Sequence, residues 1–144
     1  QPDKIGGWVK KLTKTKKIKK VSKTTLRNKA DRLLQDYIRA KHAGELCWLC
    51  GNVPMTVGHH FVYKSQANAT RFYLPNIIPL CMKCHFDIHC HPSMNNAKIT
   101  LKMGKEWYDD LEARKHEGQK FTKEWVEGVL DYLQNLQEEL IGGR

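Results

Sequence analysis

Cys47-Trp48-Leu49-Cys50 opens, and Cys81-Met82-Lys83-Cys84-His85-Phe86-Asp87-Ile88-His89 closes, the stretch that decides the fold. Between them lie His59-His60 and Asn76, and the span from Cys47 to His91 holds all five cysteines and five of the seven histidines. Two Cys-x-x-Cys knuckles supply four thiolates, the ligand set of a closed tetrahedral zinc with Zn–S distances of about 2.3 Å. Cys47, Cys50, Cys81 and Cys84 are therefore read as ligands of a structural zinc. The histidines and the asparagine fall between and just after the knuckles, so they read as a second site on the scaffold that the first one holds. Cys90 and His91 end the second knuckle's helix in this reading, and His42 and His116 lie outside the constellation.

The local pattern places these residues on particular elements. Residues 55 to 63 are rich in β-branched and aromatic side chains and predict a strand carrying His59 and His60. Residues 64 to 75 predict a connecting loop, and 76 to 80 a short second strand that Pro79 confines to an edge. The second knuckle opens a helix over 82 to 90, on which His85 and His89, four apart, share one face and can hold one ion. A histidine pair alone is commonly core or surface. It gains meaning here from its order with Asn76, His85 and His89.

That order carries a chemistry. Hydrolysis of a phosphodiester needs an activated water, a Lewis acid for the charge developing on the phosphoryl and leaving oxygens, and in-line geometry. His60 is the candidate general base, expected to face solvent, because an unperturbed imidazole titrates near pH 6.5. His59, His85 and His89 would bind a catalytic divalent ion on three sides. Imidazoles suit Zn2+, Ni2+, Mn2+ or Co2+; Mg2+ prefers oxygen ligands, which a substrate phosphate could supply.

Charge is distributed unevenly around this core. Residues 1 to 23 hold nine lysines and one aspartate, residues 24 to 104 ten basic and four acidic side chains, and residues 105 to 144 six and ten, within a net +10. Lys10, Lys11, Lys14, Lys16, Lys17, Lys19 and Lys20 cannot be buried together, so 1 to 23 reads as a flexible basic arm whose natural partner is a phosphate backbone. The bland alternative is a solubilising tail. Arg71, ahead of Asn76, is read as a DNA contact or as the partner of an acid.

Residues 24 to 144 read as one domain. Leu26, Ala30, Leu33, Leu34, Tyr37 and Ile38 predict an amphipathic helix over 24 to 42, capped by Ser22 or Thr24 and stopped near Gly44, with Arg27, Arg32 and Arg39 on its other face. After the core (45 to 91), residues 93 to 141 predict helices: 93 to 103, then 105 to 115 with Trp107 and Leu111 inward, then one capped by Thr122. The last carries a stripe of Trp125, Val129, Tyr132, Leu133, Leu136 and Leu140. That stripe packs on the 24 to 42 helix or forms a homodimer interface. The class is α+β. No apolar run is long enough to span a bilayer or form a signal-peptide core, so a cytoplasmic, reducing compartment is expected. The first residue, Gln1, is what a processed product or a chain with upstream sequence would show.

The order His-His, Asn, then His-Phe-Asp-Ile-His on a helix resembles the ββα-metal fold of HNH nucleases, including the His-Ile-Asp-Ile-His ending of the nuclease colicins. The framing knuckles resemble the zinc-stapled HNH branch common in bacteriophages. Over roughly 25 to 140, the helix before the first knuckle, Gly58-His59, Arg71-Phe72 ahead of Asn76 and the late Phe121-Thr-Lys-Glu-Trp125 helix look like the lambdoid phage recombination nuclease family called NinG or Rap. The resemblance implies a zinc-stapled HNH core flanked by N- and C-terminal helices, and DNA cleavage at Holliday junctions or other branched DNA in the host cytoplasm. It also implies that Asn76 orients the His60 ring. Two alternatives stay open: a nicking or sequence-specific HNH endonuclease, including the phage packaging type, and a non-catalytic zinc module that binds DNA.

Overall fold

The computed structural model describes residues 20–143. Of the arm lysines, Lys10, Lys11, Lys14, Lys16, Lys17 and Lys19 lie outside the described residues, and Lys20 is exposed. Helix α1 runs Lys23–Lys41, and Ser22 caps it by accepting a hydrogen bond on Oγ from the Thr25 N–H at 3.2 Å. Two residues beyond its C-cap, Gly44 takes φ +83°, a left-handed turn that a side chain would resist.

Ala30, Leu34, Tyr37 and Ile38 of α1 are buried against the C-terminal helix α5, Lys123–Gly142, which contributes Val126, Leu130 and Leu133. Thr122 caps α5, its Oγ1 accepting from the Trp125 N–H. The α5 stripe therefore packs within the subunit. Its centre is turned by about one residue from the sequence expectation: Val126, Leu130 and Leu133 are the buried positions, Trp125, Val129, Leu136 and Leu140 flank them, and Tyr132 is 48% exposed. Aromatic and branched flanking residues widened the apparent stripe and shifted its midline.

Between these helices in sequence lies a two-stranded antiparallel sheet, β1 Val57–His60 and β2 Ile77–Leu80, with Gly58 opposite Pro79 and His59 opposite Ile78. β1 is shorter than the expected 55 to 63. Phe61 still donates to the Asn76 carbonyl, but the Val62 N–H donates to Asn76 Oδ1 at 2.7 Å, so a side chain takes over from the ladder and the strand ends. Gly58 is held on its outer edge by α1: Gln35 Nε2 donates to its carbonyl at 2.8 Å and Gln35 Oε1 accepts from its N–H at 2.9 Å. A Cβ at Gly58 would lie 2.6 Å from Ile77 Cγ2 and 3.2 Å from Ile38 Cγ2, so only glycine permits this approach. Opposite it, Pro79 has no N–H to satisfy, and its carbonyl accepts from Trp48 at 3.0 Å.

The chain then forms α2 Met82–Cys90, α3 Pro92–Met103 and α4 Lys105–Lys115. Pro92 sits at the first turn of α3, where its missing N–H costs nothing. Ile78, Leu80, Ile88 and Ile99 form a second core packed by Trp48, Phe61 and Trp107. Leu111 is buried as expected, and Trp107 is half-buried with Nε1 donating to the Pro75 carbonyl at 2.7 Å. The architecture is α+β: α1 packs on α5 and on the small sheet, α2 packs on β1 and α3 with only Ile88 buried, and α3 packs on α4. Among the described residues no helix is long and apolar enough to cross a membrane.

Candidate metal centre

The first knuckle folds where Leu46 bridges to Pro54 and the Cys47 N–H donates to the Val53 carbonyl at 2.7 Å, with Gly51 at φ +67° completing the turn. The second knuckle is the first turn of α2: Cys81 is its N-cap, and its Sγ accepts from the Cys84 N–H at 3.4 Å. The β1–β2 ladder and the Trp48–Pro79 bond bring the two together, and the four sulfurs of Cys47, Cys50, Cys81 and Cys84 lie within 4.8 Å of one another. Burial alone would raise the Cys47 thiol, but N–H groups of Cys50, Cys81 and Leu49 reverse that and bring it down to about 6. Burial and the neighbouring sulfurs push Cys84 up. One thiolate charge crowds out the next. A bound cation would relieve that conflict, and four sulfurs at this spacing fit a tetrahedral zinc.

The second cluster is His59 from β1 with His85 and His89 from α2, whose ligand nitrogens also lie within 4.8 Å of one another. The Nε2 atoms of His85 and His89 are 3.2 Å apart, and two nitrogens about 2.1 Å from a shared ion at 90–110° would be separated by about 3.0–3.4 Å. His59 is 2% exposed and its Nε2 is buried without a hydrogen-bond partner among the described residues. An orphaned buried nitrogen costs free energy unless something completes it. Burial first, then the nearby His85, His89 and His60, lowers His59 to about 3, so it stays neutral and keeps a lone pair for a metal. Burial and His89 also lower His85. The donor set thus fits a divalent ion with open positions, facing a cavity of about 440 Å³.

His60 lines the same cavity. It is not solvent-facing as expected but 9% exposed, and burial lowers it to about 4 although the Arg71 carbonyl opposes the shift. At neutral pH the ring is uncharged and carries one proton. The Arg71 carbonyl, a pure acceptor 2.8 Å from Nε2, fixes that proton on Nε2 and leaves Nδ1 with a free lone pair.

One expected role is corrected here, and a second is narrowed. Asn76 makes no hydrogen bond to His60: its Oδ1 accepts from Val62, and its Nδ2 donates to the carbonyls of Val62 and Thr70, each at 3.0 Å. It ties the two ends of the 62–70 loop together and so sets the backbone that presents the Arg71 carbonyl. Of the two readings of Arg71, the structure shows the acid partner. Its guanidinium forms a forked pair with Asp31, 3.1 Å from Nε to Oδ1 and 2.6 Å from NH2 to Oδ2, and Arg71 is 8% exposed. Of the arginines on the open face of α1, Arg27 lies over the Phe121 ring and Arg39 reaches the Thr56 carbonyl, which leaves Arg32 to solvent.

The model of the family described as the bacteriophage lambda NinG protein matches residues 8–140. The chain belongs to the NinG family. No curated protein and no solved structure matches it. In this NinG-family chain both ligand clusters, His60 and Asn76 all fall inside the matched residues. Sequence reasoning missed Gln35, Tyr63, Lys64 and Ser65, which line the histidine cavity. Tyr63 alone carried a signal, three residues after His60, and its ring centroid is 5.7 Å from that of His89.

Proposed function

We propose that the protein is a metal-dependent DNA endonuclease with a zinc-stapled ββα-metal (HNH) core. His59, His85 and His89 hold the catalytic divalent ion, and His60 is the general base. The observation that carries this reading is the tautomer of His60: a neutral imidazole with its proton locked on Nε2 and Nδ1 free, in the cavity that the three other histidines line. A merely structural histidine would have no need of a cavity beside three candidate ligands.

A water in that cavity gives a proton to His60 Nδ1 as its oxygen bonds to phosphorus. The P–O bond to the leaving oxygen breaks, and solvent protonates the oxygen released. The Arg71 carbonyl keeps the ring from turning and stabilises the imidazolium that forms. Asn76 holds the loop that carries that carbonyl, and Asp31 holds the side chain of the same residue. When bound, the divalent ion supplies Lewis acidity to the phosphoryl and leaving oxygens.

DNA as substrate is supported by the net charge of +10 and its concentration before residue 105. Membership of the NinG family supports a role in phage recombination, and branched DNA such as Holliday junctions is the substrate that the resemblance implies. The deciding experiment follows a four-way junction, a supercoiled plasmid and linear duplex with the protein, with and without chelator and with Mg2+, Mn2+, Ni2+ or Zn2+ restored. Preferential cutting of the junction is expected. Equal cutting of plasmid and duplex would favour a nicking or sequence-specific endonuclease, and binding without cutting under every metal would leave a zinc DNA-binding module.

A further inference from the structure

We infer that the cavity bounded by the segment after β1 and by helices α3 and α4 receives an unpaired nucleobase beside the scissile phosphate, an inference that rests on the nuclease reading above. The cavity measures about 860 Å³, which makes it larger than the histidine cavity and ample for one nucleobase. Its walls include Phe61, Tyr63 and Tyr108 with Leu101, which is 88% exposed. Base–aromatic stacking is the interaction by which proteins hold single-stranded bases, and it tolerates any sequence because every base has a π-face.

Two features choose a base over other occupants. Its lysines are already neutralised by acids of their own helix: Lys105 Nζ is 2.6 Å from Asp109, and Lys115 Nζ is 2.9 Å from Glu112. The wall, which Glu112 also lines, therefore carries little net positive charge to hold a phosphate, whereas an uncharged heterocycle fits. The second feature is continuity. Tyr63 lines both this cavity and the histidine cavity, and its ring centroid lies 6.0 Å from His59 and 5.7 Å from His89. A strand with its phosphate among the histidines would carry a neighbouring base past Tyr63 to this opening. A base in a duplex is stacked and paired and would have to leave its partner, at a cost that is least where the base is already unpaired. The cavity thus gives the site a preference for branch points that needs no sequence readout.

The test measures binding, with the four-cysteine zinc in place and no further divalent ion added so that nothing is cut, of a forked DNA with one base at a time removed to leave an abasic sugar. Wild type, Tyr108→Ala and Tyr108→Trp are compared, with thermal melting to confirm that each is folded. One position near the fork is expected at which removing the base weakens wild-type binding roughly 5- to 150-fold, the range for one stacked base. The same removal should be nearly without effect in Tyr108→Ala, and Tyr108→Trp should recover the dependence. If no position matters to wild type, or the penalty is the same in Tyr108→Ala, the base pocket is refuted. Cleavage of the same DNA with metal is followed in parallel. Cutting without base dependence overturns the pocket and leaves the nuclease, whereas base-dependent binding without cutting upholds the pocket and overturns the nuclease.

Discussion

His60 Nε2 and the carbonyl oxygen of Arg71 are 2.8 Å apart, and this one contact decides which nitrogen of the ring is free to act. It separates His60 from its neighbour His59, whose Nε2 has no hydrogen-bond partner among the described residues.

The two histidines should therefore fail differently. His60→Ala is expected to lower DNA cleavage by roughly 10²- to 10⁴-fold, with no recovery at high metal. Because the ring is buried, the variant should also lose about 1–3 kcal/mol of stability from the unpaired Arg71 carbonyl and the poorer packing. His59→Ala should bind the catalytic ion weakly and regain cleavage as metal is raised. Cleavage time courses across a metal titration, with melting curves, check both; identical metal responses would reject the division into base and ligand.

Cys47→Ser should release the structural zinc and cost several kcal/mol, since metal affinity in such a site is folding free energy. Zinc content by elemental analysis and the melting temperature are the measurements. An unchanged zinc stoichiometry would show that the four sulfurs hold nothing. Because Cys81 caps α2, zinc loss should also weaken metal binding at His85 and His89 on that helix.

Asp31→Ala leaves the Arg71 guanidinium buried and unpaired, and removing one partner of such a pair costs about 3–5 kcal/mol. The side chains are 10% and 19% exposed, so screening by water takes only part of this away. Cleavage should fall further than DNA affinity, because the pair steadies the residue whose carbonyl orients His60. A loss of affinity equal to the loss of rate would return Arg71 to the DNA surface.

Deleting residues 1 to 19 removes seven lysines and one aspartate. DNA binding at low salt should weaken, and the slope of log K against log salt should flatten by about 0.9 for each phosphate that the shortened chain no longer neutralises. A slope that does not change assigns the arm another duty.

The two candidate ligand clusters were legible because their spacing is local. Cys-x-x-Cys and His85–His89 repeat at intervals that a turn or helix converts directly into shared faces, and the ladder from His59 to Ile78 brings the remaining ligand in. The helices were legible for the same reason, from Ser22 and Thr122 as caps and from the spacing of Leu34 and Leu133. What could not be read are the single hydrogen bonds across long sequence separations: Gln35 to Gly58, Asp31 to Arg71 and His60 to the Arg71 carbonyl. Such pairs leave no periodicity. Asn76 was found as important but given the wrong partner, since its amide satisfies backbone groups, which every sequence possesses and none advertises.

The grip of Gln35 on Gly58 also bears on how this chain behaves among its own copies. A two-stranded sheet has two outer edges, and an edge with open N–H and C=O groups invites another strand to add. At the middle of β1 both groups are taken by one side-chain amide, and at the middle of β2 Pro79 offers no N–H while Trp48 occupies its carbonyl. The sheet is closed to extension at its centre from either side. Gln35, Pro79 and Trp48 thus leave an added strand no central backbone partner on either edge.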